Sequence, residues 1–486
     1  MKKIIYLSIL TALSLVSCKK FLDQQPDDRT ELNSAVKVAE VLASAYPHGN
    51  YIPFTEAMSD NADDKNTTSR DNKNSLPWQY KDQEVNGDEI DTPPFYWNEC
   101  YRAISAANAA LETIANASNP QEYSASKGEA LVARAYAHFM LVTLFSKSYN
   151  PATASSDPGI PYVTKLEKSV DSKYERGTIA FVYEQIEKDL IEGIPLIQDN
   201  TYKVPKYHFT TVAAHAFAAR FYLFKRDYQK VIDHSELTFP GSSIVNSLRE
   251  WNTTYTNSTY YVLQAQYTNS IEPANLLLAE ANTVWGRSYA GYNYGLNTNL
   301  LFSVMGSANP LGYALVMQSN IYGSGPEVYN IPKFVEHFVK ESISANFGDP
   351  YNMIPLLTAE EVLFNRAEAF ARLGNNAAAL ININAYLSKR IEAYSPVSDV
   401  LTQEMVTDYY EGQSVTDAVI STILNFKRGE YMHEGLRWFD VVRLKIPIVH
   451  KSFDNKVTIT LGPDDPRRVI QIPKESITLG LAPNPR

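Results

Sequence analysis

Cysteine is nearly missing: Cys18 and Cys100 are the only two in 486 residues, which rules out a disulfide-stapled scaffold and makes each thiol a separate question. Basic charge is also in deficit, with 44 Lys and Arg against 54 Asp and Glu for a net charge of −10. Neutralising phosphates takes a basic footprint, and no Lys/Arg-rich block occurs, so a general nucleic-acid binder is excluded. Past the opening segment no apolar run reaches the ~18 residues that a membrane-spanning helix needs. There is no GxSxG elbow, no HExxH pair and no Walker loop, so the best-marked hydrolase and nucleotide chemistries have no motif here. What is present is a globular composition, 44% apolar and 20% charged, whose burial can offset the entropy of folding. The length suits roughly three average domains, or one long body of helices or repeats.

The N-terminus reads as an address. Lys2 and Lys3 make a short positive start, and Ile4 to Val16 form an apolar stretch too short to span a bilayer, the layout of a signal peptide over residues 1–17. Leu15-Val16-Ser17-Cys18 looks like the bacterial lipoprotein box, in which the thiol receives a diacylglyceryl group, the signal is cut before it and the new N-terminus is acylated. Cys18 is thus expected to be the lipidation site, and several acyl chains at about 0.8 kcal/mol per CH₂ hold a protein to a membrane far better than one. Residues 18–32, "CKKFLDQQPDDRTEL", read as a polar tether. Cys100 sits beside Trp97, Ile104 and Leu111 at helical spacing, the setting of a buried, inert thiol.

Helical periodicity marks "SAVKVAEVLASAYP" from Ser34 to its stop at Pro47, then "NECYRAISAANAALETIAN" and the Ala-rich "KGEALVARAYAHFMLVTLFSKSY" between 98 and 149. A further helix is predicted in "TIAFVYEQIEKDLIEGIPLI", starting at Thr178 and stopping near Pro195. Residues 48–96 read as irregular and rich in Asp and Asn, with Trp78, Tyr80, Tyr96 and Trp97 scattered through them; a loop this long that carries aromatics favours a functional role. A repeat emerges when "ARFYLFKRDYQKV" (219–231) is laid on "AEAFARLGNNAAA" (367–379): Ala219 matches Ala367, Tyr222 Phe370, Asp227 Asn375 and Val231 Ala379. Small, aromatic, turn and small positions recur at one spacing, as in a tetratricopeptide-like helical hairpin, which must stack on neighbours to bury its face. Residues 240–355 change character, being rich in Tyr, Asn, Ser and Gly, and read as a loop-rich insertion; 446–486 holds short β-type runs, "KVTITL" and "RVIQIP", in extended chain.

The most specific segment is "FKRGEYMHEGLRWFDVVRLK", 426–445. His433 and Glu434 begin a zincin-like pattern, but Arg437 stands where the second His is required, so metal binding there is rejected. On a helix Arg437, Asp440 and Arg443 recur at near-turn spacing suited to ion pairs, with Leu436, Phe439 and Val442 on another stripe. Arg428, Glu430, Glu434, Gly435, Arg437, Trp438, Phe439, Asp440 and Arg443 together resemble the near-C-terminal signature of the SusD/RagB family of nutrient-binding lipoproteins of Bacteroidetes. The resemblance extends to the lipoprotein box followed by "FLDQQP", to "ARAYAHFMLVTLFSKSYN" and to "LLTAEEVLFNRAEAFARLG".

That resemblance implies a mainly α, SusD-like fold: a signal peptide at 1–17, a lipidated tether at 18–32, an N-terminal helical region with tetratricopeptide-like hairpins at 33–239, a variable mixed α/β insertion at 240–355 and a C-terminal region at 356–486. It further implies a non-catalytic lipoprotein, lipid-anchored at the outer membrane and facing the cell exterior, that captures oligosaccharides for a SusC-like TonB-dependent barrel. RagB-like members take peptides through the same partnership. A surface glycoside hydrolase is the remaining reading of another class, since carboxylates are plentiful and sequence sets no separation between them. No nucleic-acid partner and no cofactor beyond the covalent lipid on Cys18 is expected.

Sugars present apolar C–H faces and a rim of hydroxyls, so a site needs flat aromatic platforms edged by Asp, Asn or Arg. Two stretches supply both. The first offers Asp60, Asn61, Asp63, Arg70, Trp78 and Tyr80; the second, "WGRSYAGYNYGLNTN", offers Trp285, Arg287, Tyr289, Tyr292, Asn293 and Tyr294. Asp60, Asp63 and Asp64 also carry the oxygen ligands that Ca²⁺ takes, but the alternation and glycine of an EF-hand loop are missing, so no metal is assigned.

Overall fold

In the computed structural model, residues 32, 34–67, 73–166, 174–241, 243–325, 327–340 and 342–486 are described. Cys18, with its signal and tether, and Arg70 lie outside them. The scaffold is helical, and its helices begin where the chain supplies caps. Ser34 accepts a hydrogen bond from the Lys37 amide at the start of α1 (Ala35–Leu42), which ends five residues before the expected stop at Pro47. The stretch from 48 to 96 is not irregular throughout: α2 (Ile52–Met58) and the short α3 (Ser75–Trp78) interrupt it. Thr92 caps α4 (Pro93–Asn116), whose two leading prolines occupy positions that have no intrahelical N–H bond to lose.

The Ala-rich helix α5 (Ser124–Phe145) is buried continuously from Gly128 to Phe145, as a helix apolar on every side must be. It packs between α4 and α6 (Ile179–Gly193). Arg134 of α5 ties all three, donating to Asp189 at 2.7 and 2.8 Å and to Asn108 at 2.9 Å. Thr178 caps α6 through the Phe181 amide, and Cys100 is fully buried and free.

The repeat is real at the level of single hydrogen bonds. Helix α7 (Thr211–Lys225) turns into α8 (Tyr228–Thr238); after the insertion, α12 (Ala359–Arg372) turns into α13 (Asn376–Leu387). Asp227 and Asn375 cap the second helix of each hairpin through the amides of Lys230 and Ala378, and their own amides donate back to Tyr222 and Phe370 at 3.0 and 2.8 Å. Arg226 and Gly374 hold the matching left-handed position, at φ 66° and 82°, which costs a residue with a Cβ and not glycine. The hairpins stack, α8 on α12, and α15 (Val415–Glu430) packs on α12 from the C-terminal side, with α14 (Gln403–Tyr409) against α15.

The stretch from 240 to 355 adds α9 (Tyr260–Tyr267), α10 (Trp285–Ser288), α11 (Thr298–Met305) and most of the β structure. Strands β2 (Asn275–Asn282), β7 (Gly348–Thr358) and β6 (Glu336–Lys340) form an antiparallel sheet in that order, with Ala279 opposite Ile354 and Phe338 opposite Pro350. The two-residue strands β1 (Asp63–Asp64) and β3 (Tyr294–Gly295) pair with each other, as do β4 (Tyr322–Gly325) with β5 (Val328–Asn330) and β8 (Ile448–Lys451) with β9 (Thr458–Leu461). "KVTITL" thus contains a strand, whereas "RVIQIP" is extended chain whose Ile470 amide donates to Leu144 at the end of α5. Helix α17 (Lys474–Thr478) follows.

One hydrophobic core runs from Val38 to Leu481 and takes in Leu277, Tyr289 and Ile331 of the insertion. Ion pairs inside it fasten insertion to scaffold. Arg249 pairs with Glu360 at 2.8 Å, Arg390 with Glu360 and Glu430, and Lys333 with Glu434 at 2.6 Å, all essentially without solvent contact. Removing one partner from such a set strands a charge and costs ~3–5 kcal/mol. Helix α16 (Leu436–Leu444) carries the second half of the C-terminal motif. Asp440 there does pair with Arg443, but Arg437 reaches outside the helix to Asp60.

Candidate functional site

The two aromatic and polar stretches, more than 200 residues apart, meet. Asp63 lies opposite Gly295 and Asp64 opposite Tyr294 in the β1–β3 ladder. The Lys65 amide donates to the Asn293 carbonyl at 2.9 Å, the Thr67 hydroxyl to the Asn293 side chain at 2.9 Å, and the Asn74 amide group to the Tyr294 carbonyl at 2.7 Å. The buried Lys65 ammonium donates to the Ala290 carbonyl at 2.8 Å, and burial pulls its pKa down to about 8.

A column of flat rings runs inward from this seam. Tyr294 stacks on Trp78 at 4.2 Å between centroids, Trp78 on His450 at 4.9 Å, and His450 on Tyr80 at 5.2 Å, with interplanar angles of 19°, 4° and 9°. Tyr80 in turn faces Trp438 of α16 at 6.2 Å and lies under the Arg467 guanidinium at 5.7 Å. Hydrogen bonds hold the column in register: the Trp78 indole donates to the Ala62 carbonyl at 3.0 Å and the Tyr80 hydroxyl to that of Met58 at 3.0 Å. Burial pushes the Tyr80 phenol well above its ordinary pKa, so it stays a donor. Trp78 is 2% exposed and Tyr80 6%; only Tyr294, half-buried at the outer end, offers ring surface.

Around Tyr294 stand polar groups at the surface. Asp63 accepts from Asn299 at 3.3 Å, and Asp64 accepts from the amides of Asn66 at 2.9 Å and Phe453 at 3.1 Å. Asp63, Asp64, Thr67 and Asn293 are half-buried; Asn66 and Asn299 are exposed. A flat ring edged by such groups suits a ligand with alternating apolar faces and hydroxyls. On the inner side of the column Tyr80 borders a cleft of about 200 Å³ lined by Pro77, Pro94, Arg467 and Ile472. That is below the ~300 Å³ at which enclosed ligand pockets begin.

Other predicted contacts take different places. Asp60 accepts two bonds from Arg437 at 2.7 and 3.0 Å. Burial works against its charge, but Arg437 and Arg428 outweigh that and hold the carboxyl well below the usual range. Asn61 is fully buried, accepting from Arg428 at 2.8 Å. Trp285, Tyr289 and Tyr292 are at most 3% exposed; the Trp285 indole donates to the His433 carbonyl and the Tyr289 hydroxyl to that of Ile331. The three rings and Asn61 have no surface to offer a ligand, and the Asp60 carboxylate, though a quarter exposed, is taken up by Arg437, so these five belong to the packing behind the seam. Arg287 is exposed and pairs with Glu336 of β6 at 3.0 Å. Sequence reasoning missed His450, Asn299 and Thr67. The alternation buried, exposed, buried, exposed along β8 puts His450 on the inner face with Ile448, and "IVHK" carried that period.

Among the described residues, no group of three or more His, Cys, Asp and Glu side chains stands ready for a metal, and no helix is long and apolar enough to cross a membrane.

Residues 20–223 match a family model described as SusD-like, starch-binding and associating with the outer membrane. Solved structures share the fold over nearly the whole chain. A SusD superfamily protein from Bacteroides thetaiotaomicron is 19% identical, with 93% of this chain and 100% of that one covered at a TM-score of 0.70. A SusD superfamily protein from Bacteroides fragilis is also 19% identical, with 92% and 98% covered at 0.67. A SusD-like carbohydrate binding protein from Bacteroides vulgatus is 15% identical, with 92% and 96% covered at 0.60. No curated protein matches the sequence.

Proposed function

We propose that this chain, SusD-like in its family match and in its fold, captures oligosaccharides at the cell surface and hands them to a SusC-like TonB-dependent barrel, held at the outer membrane by lipid on Cys18. The observation that carries the reading is the Tyr294–Trp78 stack rimmed by Asp63, Asp64, Thr67, Asn293 and Asn299, assembled from both candidate stretches. A sugar ring lies on Tyr294 while its hydroxyls reach the rim. The description of the family model, starch-binding, and the name of the Bacteroides vulgatus protein, carbohydrate binding, support the class of ligand.

Calorimetric titration of the purified protein against a panel of oligosaccharides, starch fragments included, tests this. Wild type binds at least one, and Tyr294→Ala loses that binding while keeping the folded circular-dichroism spectrum; binding to peptides alone refutes the sugar reading. The Asp63 and Asp64 pair favours that second reading, capture of cationic peptides, which mass spectrometry of co-purified ligands separates. Binding without turnover is the reading for the carboxylates, and release of reducing ends from a bound glycan overturns it. Cys18→Ala frees the protein from the membrane; retention in a strain without the barrel refutes the anchor. Recovery of the barrel with the affinity-tagged protein from detergent extracts tests the partnership, and its absence from such extracts refutes it.

A further inference from the structure

His450 is almost fully buried, at 1% exposure, and each of its ring nitrogens lies nearest a carbonyl oxygen, which can only accept, while the neighbouring Tyr80 hydroxyl gives its hydrogen to Met58. Nδ1 lies 2.8 Å from the Trp78 carbonyl oxygen and Nε2 2.9 Å from that of Ser59. A neutral imidazole carries one N–H and one lone pair, and a lone pair at that distance from a carbonyl oxygen is repelled. Only the imidazolium, with a hydrogen on each nitrogen, satisfies both contacts. Its surroundings suit a cation: Trp78 covers one face and Tyr80 the other, and aromatic faces attract positive charge.

We propose that His450 is a positioning residue for the Tyr294 face: doubly protonated, it ties the Trp78 and Ser59 carbonyls together and keeps Trp78 flat beneath Tyr294, and losing one ring proton releases a tie and loosens the platform. The inference rests on the ligand reading above for its effect on binding, though not for the state of the ring. The groups facing His450 are known from each side. The Tyr80 hydroxyl comes within 3.5 Å of Nε2. Burial outweighs the two carbonyl contacts and the charges of Asp63 from β1 and Asp60 from the turn after α2, so the ring holds its second proton only below the ordinary imidazole range. Arg437 and Arg428 are occupied by Asp60, and Arg467 lies across Tyr80. The ties run along the stack, so the effect belongs to the ring that meets the ligand.

The test uses the intact protein and does not depend on having the right sugar. With ¹⁵N-labelled histidine, and His450→Gln to assign the signal, both ring nitrogens of His450 show imidazolium shifts at pH 5, and the Trp78 indole signal moves when one proton is lost as the pH rises. A singly protonated ring at every pH from 5 upward overturns the proposal. Maltoheptaose is the probe for function. Its affinity for wild type falls about tenfold as His450 loses its proton, the scale of one charge-assisted hydrogen bond, while His450→Gln binds weakly with no such step. Affinity that is unchanged across the titration of the ring overturns the positioning role. If maltoheptaose binds at no pH, the starch-type sugar reading fails and the nitrogen shifts alone decide the state of His450.

Discussion

Replacing Asp60 separates a ligand group from a clamp. The Asp60 carboxylate takes two parallel bonds from Arg437 at 2.7 and 3.0 Å, while Arg428 binds the Asp60 carbonyl and the Asn61 side chain. The side chains of Asp60 and Arg437 are 24% and 8% exposed. Asp60→Ala therefore leaves the Arg437 charge buried with no acceptor, which costs ~3–5 kcal/mol where a pair is fully dry. The quarter of Asp60 still in contact with water places the loss at the low end, about 3 kcal/mol. Asp60→Asn keeps one oxygen for one of the two N–H groups and loses about 2 kcal/mol. Arg437→Met removes the stranded charge, so adding it to Asp60→Asn costs less than the sum of the singles, with a coupling of about 2 kcal/mol. Urea unfolding followed by circular dichroism measures the wild type and all four variants, and sugar titration runs beside it. If Asp60→Ala abolishes binding and leaves the unfolding midpoint unmoved, Asp60 is a ligand contact and the clamp is wrong.

Three further changes probe the frame. Gly435 sits at φ 71° with Ile52 and Thr55 of α2 where a Cβ would go, so Gly435→Ala combines left-handed strain with a steric clash and lowers stability by about 3 kcal/mol in the same unfolding assay. In the repeated hairpins Gly374→Ala loses about 1 kcal/mol and Arg226→Gly gains about 1 kcal/mol, because the two occupy one left-handed position; calorimetric melting shows opposite shifts. Burial opposes the charge of Asp440, but Lys427, Arg443 and Arg437 outweigh it and lower its pKa to about 2. A carboxyl whose native pKa lies below its unfolded value of ~3.9 gives stability that is complete above that value. About 2 kcal/mol is therefore lost as pH falls from about 4 through about 2, and Asp440→Asn shows a shallower acid-unfolding curve over that window.

The helical frame was legible because its signals are local. Caps such as Ser34 and Thr178 act within three residues, and the hairpin repeat shows because Asp227 and Asn375 do the same job at the same offset from an aromatic residue. The misplaced boundaries have equally local reasons. Helix α1 stops at Leu42 because the chain leaves helical geometry in a turn before Pro47 can act, and Pro93 with Pro94 opens α4 where the chain had been read as loop. What stayed hidden depends on partners far away in sequence. Glu430 is bound to Arg390, Asp60 to Arg437 across 377 residues, and His450 is sandwiched between two residues that precede it by about 370; no window of sequence contains both halves of these pairs.

The second candidate stretch shows how far spacing reaches. Trp285, Tyr289 and Tyr292 follow one another by four and three positions, the interval of a helical core stripe. The chain obeys it: α10 continues as a turn in which the Tyr289 amide donates to Trp285 and the Tyr292 amide to Ser288, and all three rings are buried. Tyr294 stands two positions beyond the stripe, at the interval of a strand, and there the chain is extended and pairs with Asp64. A change of period from helix to strand thus falls between the tyrosines that pack and the tyrosine that faces outward. The first stretch has no such marker: Trp78 and Tyr80 are also two apart, yet both lie inside the ring column, because His450 fills the space between them. Period tells which aromatic leaves a local stripe, but whether it then meets solvent depends on what a distant strand inserts beside it.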